Sequence, residues 1–385
     1  VNDQIGDENE SVADMFGDHS YDLAEHRERE FKPWHRPRKQ FVRREQWIKQ
    51  IQRLFDDRDP CAPIRYLGLP GTDLVELRYL HDKVCIPTDR KLIFLGFCSV
   101  AHPNSAARHE LDISLYQLNR LPNVHEKKSR VLHDDFRCLS ATSSIAWQRA
   151  KSLGPFDVVN VDLCDGLATD PPTESRSLYN ALAHVTTLQG HNLEPWLLLI
   201  TTRIGVEQFN RDAEAEILER FRDNICNCDG FADECQQHLG LDATTIDSSD
   251  RSDTDYLKLM IVALGKWLAK LIQATRGSKV VLASILGYKV AESASCEDLV
   301  SFALRCEPTT VPAQNALSPT PPQPFDECEI AKGIVRRTAK RKDVDLLLKG
   351  NVELQDELIA EMEDILHKAG YDISEYRRWL SSCAT

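Results

Sequence analysis

Two carboxylates close a short apolar run near the middle of this chain. In residues 156–166, FDVVNVDLCDG, the side chains of Val158, Val159, Val161 and Leu163 suit a buried strand, and Asp162 and Asp165 stand at its carboxyl end. Ligands of open α/β sheets bind at that end. An acid there can orient an amine or accept its proton. The plainer reading is a core strand whose Asp residues cap the next segment.

Four other groups of residues have types and spacing suited to chemistry. Gly68 and Gly71 form a turn between an apolar run from Ile64 and a helical pattern through Leu74, Val75, Leu77 and Leu80. Such a turn lets a backbone approach a ligand at a helix N-terminus, although Pro70 removes one N–H donor. A third apolar run, 130–136, ends in Asp134, Asp135 and Phe136. Near the amino terminus, Trp34, Arg36, Arg38, Lys39, Arg43 and Arg44 place cations beside aromatics, as a nucleic-acid contact requires for phosphate pairing and base stacking. The other reading of that segment is an arm that packs its aromatics on the main domain and solvates its charges. Cys226, Cys228, Cys235 and His238 put four soft ligands in thirteen residues. Zinc is one reading. Twelve cysteines scattered over the chain favour buried thiols at helix ends instead, and no metal is expected.

The elements that would position these residues alternate. Strands are expected at 64–68, 91–97, 130–136, 158–163 and 195–202, with helices at 105–121, 141–152 and 175–188 between them. This alternation predicts a parallel sheet with right-handed crossovers. Charged and apolar helices follow at 212–225 and 256–274, then a strand pair at 280–290 and 299–306. Five parts are expected: an acidic disordered tail over 1–26, a basic aromatic arm and helix over 27–60, an α/β domain over 61–306 with an insertion at 203–255, a proline-rich linker over 307–325, and a small helical domain over 326–385. Within the arm, Pro33 and Pro37 predict an extended stretch over 31–40. Phe41, Trp47, Ile48, Ile51 and Leu54 predict one apolar helix side. Lys332, Arg336, Arg337, Lys340, Arg341 and Lys342 make the first helix of the last part basic, for nucleic acid or as a solvated face. Leu354, Leu358, Met362, Ile365 and Leu366 stripe its second helix, which Gly370 ends.

These units resemble the class I S-adenosylmethionine-dependent methyltransferases over roughly 61–306. The expected fold class is therefore α/β: a Rossmann-like, mostly parallel sheet with helices on both faces, an antiparallel terminal strand pair and a small C-terminal helical module. Residues 66–72, YLGLPGT, stand where that family has its glycine-rich first motif, and residues 133–136, HDDF, where it has the acid that contacts adenine. Residues 160–166, NVDLCDG, stand at its fourth motif. Together with residues 33–40, PWHRPRKQ, the chain also resembles an uncharacterised bacterial methyltransferase-like family. The resemblance implies S-adenosylmethionine as cofactor, with Gly68 and Gly71 admitting its methionine part and Asp134, Asp135 and Phe136 holding its adenine. Asp162 would be catalytic, and Asp165 would shape the pocket. Direct methyl transfer to nucleic acid is the implied activity. Two departures stand beside it. Tyr66 and Leu67 occupy the place of the acid before the first glycine, and Gly96, Phe97 and Cys98 occupy the end of the second strand, where a ribose-binding acid belongs. They support the alternative, a catalytically inactive methyltransferase-like module that recruits a partner or nucleic acid, in a setting such as bacterial defence.

Composition narrows the surroundings. The chain has 385 residues, 42% hydrophobic, enough for one large domain and a smaller one. No run is long and apolar enough for a membrane span, and the acidic amino terminus is no signal peptide. A cytoplasmic location with mostly reduced cysteines is expected. A net charge of −13 argues against indiscriminate nucleic-acid binding. The expected partners are nucleic acid at the basic arm and a protein at the C-terminal helices.

Overall fold

The computed structural model describes residues 29–242, 251–276, 278–291, 293–309 and 326–382. The acidic tail and nearly all of the proline-rich linker lie outside them. One sheet organises the rest. Its strands are β1 (Ile64–Gly68), β2 (Leu92–Phe97), β3 (Arg130–Leu132), β4 (Val158–Asp162), β5 (Trp196–Arg203), β6 (Lys279–Tyr288), β7 (Leu299–Glu307) and the two-residue β8 (Lys342–Asp343). They lie in the order β3-β2-β1-β4-β5-β7-β6-β8. The first five are parallel, β7 runs antiparallel to both β5 and β6, and β8 pairs parallel with β6. Every residue of β2 is buried, as are the first seven of β5, because helices cover both faces of the sheet.

Chain order reverses between β1 and β4, which opens a crevice at their carboxyl ends. The arm enters here. After a 3-10 turn at Pro33–His35, helix α1 begins at Pro37–Phe41, widens to a π-helix over Val42–Ile48 and returns to α geometry over Lys49–Phe55. The extended arm expected over 31–40 is thus corrected. Each proline takes the first position of a helical turn, where its missing N–H is not needed and its fixed φ fits. The expected apolar side is present, with Phe41, Trp47, Ile48, Ile51 and Leu54 all buried.

Helix α2 follows β1 as Val75–Leu80 and continues through a π segment, His81–Cys85, to Ile86–Thr88. Helices α3 (Ala106–Asn119), α4 (Ile145–Leu153) and α5 (Leu178–Gln189) fill the other crossovers. Each starts at a serine, Ser105, Ser144 or Ser177, whose hydroxyl accepts the N–H three residues on. The third strand is shorter than expected. Asp135 accepts the Arg137 N–H at 2.7 Å and starts a 3-10 turn at Phe136 instead.

Helices α6 (Arg211–Asn227), α7 (Phe231–Leu239) and α8 (Asp253–Arg276) pack with α4 and α5 on one face. Helices α1, α2 and α3 cover the other. The segments after residue 326 join both cores. Helix α9 (Glu327–Ala339) buries Ala331, Ile334 and Val335 with the first group. Helices α10 (Val344–Lys349), α11 (Val352–Lys368) and α12 (Tyr376–Ser382) pack beside the arm. Gly370, at φ +83°, ends α11 with a Tyr371 N–H to Leu366 carbonyl bond. No helix among the described residues is long and apolar enough to cross a membrane.

Candidate functional site

At the carboxyl end of β1 the glycines are occupied by the chain itself. Tyr66 and Gly68 lie on the same strand face. The Tyr66 ring lies over Gly68, so that a Cβ there would meet it at 2.6 Å. The Tyr66 hydroxyl accepts from Asn160 Nδ2 at 2.9 Å, bridging β1 to β4. At Gly71 a Cβ would lie 3.1 Å from an Asp73 carboxylate oxygen and 3.6 Å from Trp34 Nε1. At the end of β2, Pro70 packs on Gly96, where a Cβ would meet the proline ring at 2.8 Å.

Asp73, just after the glycine turn, is the hub. Its buried carboxylate accepts from His35 Nε2 at 2.8 Å, from the Tyr371 hydroxyl at 3.2 Å, from Trp34 Nε1 at 3.3 Å and from the Val75 N–H at 3.3 Å. The Lys32 N–H donates to His35 Nδ1, which leaves the proton on Nε2 to face Asp73. Burial alone would raise the Asp73 carboxyl. The bonds from His35 and Trp34, with the backbone N–H, outweigh it and hold the group well below its usual value.

Along the first half of α1 the cations pair with the chain itself. Lys39 pairs with Asp162 at the end of β4, and its ammonium lies 4.6 Å from the Trp47 ring centre. Arg43, wholly buried, pairs with Glu76 at 3.2 Å and also donates to the Trp34 carbonyl at 2.9 Å. Burial raises the Glu76 carboxyl, and Arg43 opposes that rise. Arg38 donates to the Lys289 carbonyl and lies 3.6 Å from Asp345. Arg44 bonds Glu45 at 3.0 Å and Glu357 at 3.1 Å. Arg36 is half-buried, and its Nε has no partner among the described residues. Trp34 is half-buried against the glycine turn.

The other sequence candidates are placed apart from this clamp. Phe136 is buried edge-on against Phe97, with centroids 5.7 Å apart. Asp135 is engaged with Arg137. Asp134 is half-exposed and has no hydrogen-bond partner among the described residues. Its neighbour His133 takes an N–H from Arg108 at Nδ1. Burial first, then Arg108, lowers its pKa. Asp165 is exposed and its carboxylate has no partner among the described residues. Burial raises the Cys164 thiol, and Asp162 adds to the rise.

Asp73, Glu76, His35, Tyr66, Asn160 and Tyr371 were not among the site residues expected from the sequence. Tyr66 and Gly68 carried a usable signal, since residues two apart on a strand share a face. Nothing local marks Arg43 as the partner of Glu76. The cysteine cluster does not converge either. Cys228 is disulfide-bonded to Cys328 on α9, 100 residues away. Cys235 is buried, Cys226 is exposed, and His238 lies 3.2 Å from Glu234. Among the described residues no three of His, Cys, Asp or Glu stand close enough together to hold a metal ion.

Parallel strands in the order 3-2-1-4-5, completed by an antiparallel β7, define a Rossmann-like α/β fold of the methyltransferase type. The family model described as PP_RS20740-like matches residues 28–381, and the chain belongs to that family. No curated protein matches it. Among similar solved structures is a Listeria monocytogenes protein assigned to the class I S-adenosylmethionine-dependent methyltransferases. It is 11% identical with a TM-score of 0.39, over 87% of this chain and 73% of that one. Another is the DszA carbon methyltransferase, 14% identical with a TM-score of 0.34, over 69% of this chain and 54% of that one.

Proposed function

We propose that this protein is a methyltransferase-fold binding module whose crevice is closed by its own arm, and that it does not turn over a substrate. The observation that carries this reading is the Lys39–Asp162 ion pair. The acid at the fourth-motif position already has a cation from the same chain, on a helix packed over the strand ends.

S-adenosylmethionine fits the residues present only in part. Tyr66 and Trp34 take up the close approach at Gly68 and Gly71, and no acid ends β2. Asp134 alone remains available for an adenine amine. The inward pairing of Lys39 and Arg43 supports packing as the role of the arm, which leaves the outer faces of the C-terminal helices to recruit a partner.

The second reading is methyl transfer to nucleic acid after displacement of the arm, and the unpartnered Asp134 carboxylate favours it. Calorimetric titration with S-adenosylmethionine, beside a radiolabelled methyl-transfer assay on RNA and DNA, decides between them. The module reading expects no transfer, and no micromolar donor binding that Asp134→Ala abolishes. Micromolar binding with transfer sinks it.

A further inference from the structure

A second concavity lies behind the loop that follows β4, on the opposite face of the sheet from the arm. It is a pocket of about 280 Å³ between the start of α5, the first half of α6 and the middle of α8. Its apolar lining includes Leu167, Ile217 and the two aromatics Tyr179 and Trp267, both half-buried. Small-molecule sites have this form, a largely apolar hollow with a few polar groups that select the ligand.

The polar groups at its rim differ in what they have left to offer. Tyr179 gives its hydroxyl proton to the Pro171 carbonyl. Asn180 uses its NH2 on the carbonyls of Glu174 and Ser175, at 2.9 and 3.2 Å, which leaves its side-chain oxygen as an acceptor. Arg220, the one cation, lies 3.5 Å from Asp223. Glu216 is exposed, and its carboxylate has no hydrogen bond or ion pair among the described residues. The groups still available are therefore acceptors, one of them charged, beside two aromatic side chains. Burial, then Asp170, Glu216 and Glu174, push the Tyr179 phenol above its usual value against a Ser177 hydrogen bond, consistent with a negative local field.

We infer that this pocket binds a small organic cation of the alkylammonium class, its charge set between Glu216 and the rings of Trp267 and Tyr179. Ring faces attract cations through their quadrupoles, and an unpaired carboxylate adds a charge-specific contact. The site is independent of the arm and of the donor crevice, so it stands or falls apart from the module reading.

The test compares choline with 3,3-dimethylbutan-1-ol, a neutral ligand of nearly the same shape, by ligand-observed NMR titration on the full chain. Choline should saturate at millimolar concentration, and the neutral alcohol should bind at least about tenfold more weakly. Glu216→Gln, at an exposed position that should not disturb folding, should weaken choline by about tenfold and leave the alcohol unchanged. Trp267→Leu, checked by thermal melting, should weaken both ligands. Equal binding of choline and alcohol, choline binding indifferent to Glu216→Gln, or no saturable choline binding would each overturn the proposal.

Discussion

Lys39 and Asp162, 123 residues apart in the chain, meet as an ion pair at the mouth of the β1–β4 crevice. Lys39 has 5% of its side chain exposed and Asp162 has 14%, so water screens the pair only slightly. Attraction between such charges must first offset the loss of their hydration. Removing one partner then leaves the other stranded. Lys39→Met should destabilise the fold by about 3 kcal/mol. Lys39→Met combined with Asp162→Leu should recover most of that loss. Urea denaturation of the three proteins checks it. A double variant as unstable as the single would mean that a stranded Asp162 charge is not what destabilises Lys39→Met.

Trp34 separates the two readings of the arm. Its indole lies against the glycine turn and donates to Asp73. Trp34→Ala should lower stability by about 2 kcal/mol, less than for a fully buried tryptophan. Filter binding to single-stranded nucleic acid should be weak in both proteins. A wild-type affinity that falls steeply with salt, and flattens when Arg36, Arg38 and Lys39 become alanine, would restore the nucleic-acid reading.

The Asp73 hub predicts a pH dependence with a definite sign. Its folded-state pKa lies below the unfolded value, so the ionised carboxylate stabilises the fold. That contribution is complete above the unfolded value of about 4 and is lost as pH falls from there toward the folded one. Between neutral pH and pH 3, the wild type should therefore lose more stability than Asp73→Asn does. Denaturation midpoints measured at several pH values test this. Parallel curves for the two proteins would mean that Asp73 does not carry the linkage.

The Cys228–Cys328 bond closes a loop of 100 residues. Disulfides typically contribute about 2–4 kcal/mol, and restriction of the unfolded chain puts a loop of this size near the top of that range or above it, at about 4.7 kcal/mol. Cys328→Ser should lower the melting temperature, and reductant should lower the wild type but not the variant. Thiol titration of denatured protein should find two more reactive groups after reduction. Equal counts before and after would show that the pair is reduced in solution.

How much of this was legible in the sequence depends on the range of the interaction. Strands β1, β2, β4, β5 and β7 were readable because both faces are covered and their residues are mostly apolar. Helix α11 was readable from its stripe and from Gly370. The turn of helix at Pro33 was not, because a proline serves an extended chain and a helix start equally well in local terms. Nor could Arg43 be matched to Glu76, or Cys228 to Cys328, since any cation or thiol in the chain was an equal candidate partner. At Gly68 the residue type was visible but its cause was not. A glycine that admits a ligand and one that admits a neighbouring tyrosine ring look alike in sequence.

One set of contacts reaches beyond the crevice. Phe31 stacks on Tyr371 at 5.6 Å and touches Tyr376 and Trp379, while Arg29 donates to the Ala369 carbonyl and the Tyr376 hydroxyl to the His35 carbonyl. Residues 29–35 and 369–379 are thereby knitted into one patch, although they come from opposite ends of the described chain. Such a patch should open as a unit. Amide exchange along the arm should then report on helix α12 as well. A protein that captured Trp379 would loosen Asp73 without touching it, making the C-terminal helix a remote handle on the crevice.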